Sequence, residues 1–469
     1  MGTWTKLVGW LDSRLGLSAA VLRPVPDYSL NPLYWLGALM MIAFGVQVFT
    51  GLLMLVFYVP TVEQAYSSSL YIMKYLPLGQ LIQTVHLYTA YAMILLAFLH
   101  MMRGYFSSVH KKPREVMWVL GVLMGLLVLG LGLTGYLLPW TVVSKSATDV
   151  SIGMLSFLPA EIGSVLTFLI AGPGGSAGEL TRFFDLHIVV LPAMLLVLLV
   201  VKMYMFEVHG AAKPPGGEET GGGEVPWFPG VLLYFAMMGG VFIAIILAVS
   251  ALFPMSLPAE FTPLAASSYV PQPEWYFLWI YQVLKFSLFE GSGIYYALGG
   301  VTAILLLLIL LPFFDRGEQR DPAHRPLYVT VGLVGSAELV MLTVWGYFTP
   351  GQVIPDLTGV VLLGDVALGV LIISYLLYRV RRLLTRIAVS SSVPATAIAL
   401  PFRYKAITGV FVLFLGVGSV ALASTIRLLG DPRSPVLFAA SGLVLLAAFY
   451  FMARIVKRLT AAYPGRGSR

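Results

Sequence analysis

The stretch QTVHLYTAYAMILLAFLHMMRGYF, residues 83–106, decides how this chain is read. It is apolar enough to cross a bilayer, yet it holds His86 and His100, fourteen residues apart. At about 1.5 Å of rise per residue, that interval is roughly 21 Å and close to four turns. One helix therefore presents both imidazoles on nearly one face, at two depths. A second apolar stretch, DLHIVVLPAMLLVLLVVKMYMFEVH (185–209), carries His187, and fifteen residues further on stands Lys202. Running beside the first helix, it could face both histidines. That is a geometry for two haems stacked across a membrane, each held between two helices.

Composition agrees with a membrane setting. Of 469 residues, 58% are hydrophobic and 11% charged. The mean hydropathy is +0.88, whereas a soluble domain carries about 25% charged residues. Ten windows match the roughly 20 residues of a membrane-crossing helix: 33–59, 81–102, 116–139, 183–206, 228–253, 292–314, 327–349, 357–378, 405–426 and 435–453. Helices are expected because lipid offers no partner to backbone N–H and C=O groups, and no period-2 alternation argues for a barrel. The expected fold class is all-α, a polytopic membrane protein with a four-helix dihaem bundle.

The net charge of +7 is informative by location. Arg103, His110, Lys111, Lys112 and Arg114 lie between spans 2 and 3. Arg379, Arg381, Arg382 and Arg386 end span 8, and Arg454, Lys457 and Arg458 follow span 10. If ten spans alternate, these loops share one side, which the positive-inside rule makes the cytoplasm. Both termini are then cytoplasmic. The basic clusters read as topological signals, and nucleic acid is not an expected partner. Cysteine is absent, which excludes thioether-attached haem and a cysteine-ligated iron–sulfur cluster on this chain. Lys6, Asp12 and Arg14 interrupt any signal-peptide core. Trp4, Leu7, Val8, Leu11 and Leu15 instead follow the spacing of a short amphipathic helix on the cytoplasmic membrane surface.

Two polar seams divide the chain. GAAKPPGGEETGGGEVP (210–226) reads as a flexible linker, and IAVSSSVPATAIALPFR (387–403) reads as a loop. The expected organisation is a four-helix dihaem domain over 1–209, a linker at 210–226, a second domain over 227–350, and a three-helix extension over 351–469. Long segments at 141–182 and 254–291 fall on the outer side. The second of these contains Pro271-Gln272-Pro273-Glu274-Trp275-Tyr276.

Glycines repeat at the histidine interval. Span 1 has Gly37 and Gly51, and span 3 has Gly121 and Gly135, each pair fourteen apart. A flat cofactor between helices needs the opposing backbone to approach closely, which glycine permits. Small residues also serve plain helix packing in membranes, but two pairs in register with the histidines favour the cofactor.

With these motifs in view, the chain resembles cytochrome b of the quinol-oxidising cytochrome bc complexes. The matching motifs are QTVHLYTAYAMILLAFLHMMRGYF (83–106), KKPREVMWVLGVLMG (111–125), LTGYLLPW (133–140), TRFFDLH (181–187) and PEWY (273–276), in the family's order over roughly residues 30–350. The one-residue surplus between His187 and Lys202, and the linker, resemble the form split into two subunits in chloroplasts and cyanobacteria, here joined in one chain. The resemblance implies two non-covalent b-type haems. His86 and His187 would ligate the low-potential haem near the outer face. His100 would ligate the high-potential haem near the cytoplasm, with its partner at position 202. Glu274 and Tyr276 of PEWY, with Tyr136, would line the outer quinol oxidation site, where a carboxyl in an apolar pocket suits proton uptake from quinol. One electron would pass to a Rieske iron–sulfur protein and the other, across both haems, to an inner quinone site. A c-type cytochrome subunit, a homodimeric complex and a bacterial cytoplasmic membrane are implied likewise.

The chain departs from that pattern at named positions. Lys202 stands where the family carries histidine, and three readings are open. Its neutral amine ligates iron opposite His100; or it snorkels to the interface; or His209 replaces it, although seven residues place that side chain about 10 Å further along. The register favours the first. Gln83 stands where the split type carries an arginine pairing a haem propionate, and Arg182 is the candidate replacement. Trp35 stands where that type tethers an extra haem through cysteine. His209 is a candidate for proton delivery to the inner site, with a solvated loop histidine as the alternative. His110 and His324 receive no role. Glu338 and Asp365 are carboxylates at membrane depth, which can mark a proton path or face a partner; the C-terminal helices are expected to dock an additional subunit or lipid.

Two other function classes compete. A secondary transporter would explain ten spans, but matching Gly/Pro-broken helices are missing and the histidine register is left unexplained. A dihaem b anchor of another quinone-linked oxidoreductase fits the histidines, and PEWY counts against it.

Overall fold

The computed structural model describes residues 3–15, 24–158, 160–172, 176–215 and 223–390. Uninterrupted apolar runs leave the backbone only itself to bond with, and helices dominate accordingly. In chain order the first are α1 (Thr3–Leu15), α2 (Leu36–Leu55), α3 (Ala65–Tyr75), α4 (Gly79–Phe106) and α5 (Glu115–Leu137). Then come α6 (Val142–Gly153), α7 (Ala160–Ile170), α8 (Ser176–Asp185), α9 (Leu191–His209), α10 (Leu232–Leu252) and α11 (Pro263–Ser267). The last are α12 (Leu278–Leu284), α13 (Ile294–Phe314), α14 (Pro326–Phe348) and α15 (Asp356–Ser390).

Among the described residues, eight helices are long and apolar enough to cross a membrane: Leu36–Leu55, Gly79–Phe106, Glu115–Leu137, Gly178–His209, Leu232–Leu252, Gly291–Phe314, Pro326–Phe348 and Asp356–Arg379. These coincide with the first eight expected spans. The two expected at 405–426 and 435–453, and the basic tail after them, lie outside the described residues.

The described residues of Met1–Tyr269 and Ile304–Glu318 form one compact unit, and those of Val270–Ala303 and Gln319–Arg469 form another. In the first, α2 packs along α4, α5 packs along α9, and α4 also touches α5 and α10. Backbone packing thus pairs span 1 with span 2 and span 3 with span 4. The donor-bearing spans Gly79–Phe106 and Gly178–His209, expected to run side by side, meet through their side chains: the His86 and His187 rings lie 6.2 Å apart between centroids.

At one end of this bundle Ala65, Leu137, Trp140, Leu180 and Phe183 make a buried apolar cluster. Thr141 starts α6 with a capping box, its hydroxyl accepting from the Ser144 N–H at 3.2 Å while the Thr141 N–H donates to the Ser144 hydroxyl at 3.1 Å. At the other end the flanks of the 210–226 segment are pinned rather than loose. Val225 pairs with Val25 in a two-stranded antiparallel ladder, and the Tyr34 hydroxyl donates to the Ala212 carbonyl at 3.0 Å. Backbone groups in that segment find partners on the N-terminal chain, which a reading by composition alone misses.

The second unit centres on Phe286, Met341, Leu342, Trp345 and Ile354, with α12 and α15 both packed on α14. Here one boundary differs from expectation: α15 runs through Ser390, so residues 387–390 of the expected loop are helical. Nothing in Ile387-Ala388-Val389-Ser390 stops a helix, and the first proline lies at Pro394.

Candidate functional site

Four glycines and four nitrogen donors meet one to one. A Cβ added to Gly51 would lie 3.4 Å from Cε1 of His86, and one added to Gly37 would lie 3.3 Å from Cε1 of His100. On the other helix pair, a Cβ on Gly135 would lie 2.5 Å from Cε1 of His187, and one on Gly121 would lie 2.8 Å from Nζ of Lys202. So α2 backs both donors of α4, and α5 backs both donors of the span Gly178–His209. Each glycine yields the volume its opposing donor occupies.

The fourteen-residue glycine interval of α5 meets a fifteen-residue donor interval on the facing helix, and the backbone reconciles them. Leu186–Val190 is a single turn of π-helix closed by the Leu191 N–H on the Leu186 carbonyl. Such a turn inserts one residue into an α-helix. Pro192, immediately beyond, has no N–H to give and crowds the carbonyl four residues back. Because the extra residue falls after His187, Lys202 arrives opposite Gly121 as His187 does opposite Gly135.

Hydrogen bonds at the first level dictate a tautomer. The Thr50 hydroxyl donates to the Val46 carbonyl at 2.7 Å and lies 2.8 Å from Nδ1 of His86. With its proton committed, Thr50 accepts, so Nδ1 of His86 is the donor. His187 Nδ1 lies 3.1 Å from the Leu131 carbonyl, which can only accept. Both imidazoles therefore keep Nε2 as a free base, the form a metal requires, while the other nitrogen donates to the Thr50 hydroxyl or the Leu131 carbonyl. Two metal–imidazole bonds of about 2 Å each, with the half-widths of two rings, account for the 6.2 Å between centroids. This pair fits a haem iron.

The second level differs. His100 lies against Gly37, and its Nδ1 is buried without a hydrogen-bond partner among the described residues. The Arg103 guanidinium lies 3.8 Å over the Tyr34 ring. His209 ends α9 and its carbonyl accepts from Arg114 Nη2 at 2.8 Å; the side chain is half-buried. Arg182 lies on α8, its guanidinium 5.8 Å from the Phe168 ring. Gln83 Oε1 is buried without a hydrogen-bond partner among the described residues. Trp35 is buried and donates through Nε1 to the Ser29 carbonyl at 2.8 Å.

The remaining candidates divide between the units. Tyr136 lies in the last turn of α5, in the first. Glu274 and Tyr276 lie in the second, where Gln272 Nε2 donates to the Tyr347 carbonyl at 3.0 Å and the Tyr281 hydroxyl donates to the Pro271 carbonyl at 2.6 Å. PEWY is thus held at both sides by its own neighbours. Tyr276 is 4% exposed, and burial, with the Glu274 charge beside it, pushes its phenol up. Glu338 has a buried carboxylate oxygen without a hydrogen-bond partner among the described residues, whereas Asp365 is exposed.

Three groups escaped the sequence reading. Thr50 and Thr134 each precede a register glycine, and Thr134 Oγ1 lies 3.3 Å from Nδ1 of His187; the repeated Thr-Gly dipeptide was the available signal. His110 is fully buried with Nε2 2.6 Å from Asp315, which also pairs Lys111 at 3.1 Å. Buried Lys145 pairs Asp149, and Glu179 at 3.4 Å. The distant members of these clusters, Asp315 and Glu179, show in no sequence pattern, because they come from separate segments.

Two family models match the chain: cytochrome b(N-terminal)/b6/petB over residues 91–260 and cytochrome b(C-terminal)/b6/petD over 263–377. A cytochrome bc complex cytochrome b subunit of Chlorobaculum thiosulfatiphilum is 32% identical over 349 residues, 72% of this chain and 80% of the relative. This chain belongs to the cytochrome b family. A cytochrome b of Sulfolobus acidocaldarius is 31% identical over 456 residues, 90% of this chain and 79% of its own. The cytochrome b6 of Porphyra purpurea matches at 35% over 99% of its length and 45% of this chain, as expected of a fused form. A solved structure titled hyperthermophilic respiratory Complex III matches with a TM-score of 0.66 and 25% identity, covering 79% of this chain and 97% of that one. As a cytochrome b, the chain is a multi-pass, b-haem-binding subunit of a quinol–cytochrome c-type oxidoreductase.

Proposed function

We propose that this cytochrome b carries two b-type haems, one between His86 and His187 and one on His100, and oxidises quinol beside PEWY. The observation that carries this reading is the pairing of four register glycines with four nitrogen donors at two levels. When bound, the haems supply one-electron carriers between the two membrane faces. The chain's own residues orient them: Thr50 and Leu131 fix the imidazole tautomers, Gly51 and Gly135 admit the rings, and Arg182 supplies a charge for a haem propionate.

At the outer site Glu274 takes the quinol proton, since a carboxyl flanked by aromatic residues can hold and release one. Buried Tyr276 shields that carboxyl from water, and His209 delivers protons at the inner quinone site. A Rieske iron–sulfur protein and a c-type cytochrome receive the outer electron, in a homodimeric complex of the bacterial cytoplasmic membrane with both termini inside. The dihaem domain over 1–209, the second domain over 227–350 and a C-terminal extension that docks a further subunit complete the assignment.

Haem content of the purified complex tests the reading. Two haems b per chain are expected, falling to one in His86→Leu, while Glu274→Gln should retain both and lose quinol:cytochrome c reduction at least tenfold. A single haem in the parent, or full turnover in Glu274→Gln, would overturn it.

A further inference from the structure

From the fourth donor position we infer that the ε-amine of Lys202 is the iron ligand opposite His100, so that the two haems of this chain carry different axial sets. This inference rests on the dihaem reading and extends it to the identity of a ligand. Three observations bear on position 202 independently. The Gly121–Lys202 pair reproduces the Gly135–His187 pair on the same two helices, with the lysine nitrogen 2.8 Å from the point a Cβ would occupy. The π-turn at Leu186–Val190 absorbs the surplus residue, so the match in register belongs to the backbone and not to a chance rotamer. Across the bundle, His100 stands against Gly37, its Cε1 3.3 Å from the point a Cβ would occupy, as His86 stands against Gly51.

The alternatives read differently against the same geometry. A snorkelling lysine would extend along α9 toward His209, seven residues and about 10 Å away; the nitrogen instead turns to the glycine of the facing helix. His209 lies at the end of α9, in the stretch that Arg114 ties down through the His209 carbonyl, beyond the level of Gly37 and Gly121.

Ligation is balanced without a further reactant. The ammonium loses one proton to solvent, and the freed lone pair of Nζ forms the bond to iron. The amine differs from imidazole in having no ring orbitals and in retaining two N–H donors when bound. His187 is steered by a carbonyl on its far nitrogen, whereas Lys202 reaches the gap at Gly121 on a flexible stem.

The test uses the intact oxidised complex labelled with 15N-lysine. Pulsed electron paramagnetic resonance should show one strongly coupled 15N nucleus on one of two low-spin haems and none on the other. Near-infrared magnetic circular dichroism should show two distinct charge-transfer bands in the parent and one coincident bis-imidazole band in Lys202→His. Lys202→Met should lose the amine band while the His86–His187 signal stays. Absence of 15N coupling with two haems present, or an unchanged band in Lys202→Met, would refute lysine ligation. If Lys202→Met fails to assemble, the labelled parent and Lys202→His still decide. A parent with fewer than two haems would instead remove the dihaem reading itself.

Discussion

Adding one methyl group at each register glycine should weaken haem binding in an order set by the space each donor leaves. At Gly135 the new Cβ would sit 2.5 Å from Cε1 and 2.9 Å from Nδ1 of His187. Carbon atoms rest about 3.5–4.0 Å apart, so the imidazole must retreat by about 1 Å. Overpacking of that kind costs about 1–3 kcal/mol, and withdrawal from the Leu131 carbonyl forfeits about 1 kcal/mol more. Together about 2–4 kcal/mol is lost, which at about 1.4 kcal/mol per tenfold weakens haem binding roughly 30- to 700-fold. Gly51→Ala places its methyl 3.4 Å from His86, an ordinary contact, and should cost less than tenfold. Both variants gain the same helix propensity, about 1 kcal/mol, which cancels in the comparison. Haem b per chain by pyridine haemochromogen, with reductive titration of the low-potential component, measures the difference. Equal haem content in Gly135→Ala and Gly51→Ala, or greater loss in the latter, would refute the reasoning.

Burial lowers the Lys285 amine from 10.5 to about 8. Between about pH 8 and 10.5 the unfolded chain therefore holds more protons than the folded one, and this group's contribution to stability rises with pH across that window. Lys285→Met should flatten the rise in thermal midpoint over that range, and an unaltered slope would mean that another group titrates there. His110→Phe keeps the volume but strips Asp315 of its 2.6 Å partner. Calorimetry of the complex should register a loss of about 1–3 kcal/mol; no loss would assign the anchoring of that loop to Lys111 alone.

The legible part of this molecule was whatever repeats along one helix. Apolar runs gave away eight spans because lipid leaves the backbone one economical solution, and His86 with His100 declared two levels because an α-helix advances a constant distance per residue. The Gly37–Gly51 and Gly121–Gly135 intervals announced their partners for the same reason. The Lys202 register was harder to read, since fifteen residues do not match fourteen until the π-turn beside Pro192 is seen. Only the folded chain could decide which oxygen holds each imidazole, that Lys202 turns inward to Gly121, and that His110 finds Asp315 across some two hundred residues of sequence. Those choices depend on close contacts between helices, where a shift of one ångström changes the partner, and one-dimensional spacing does not encode distances across a bundle.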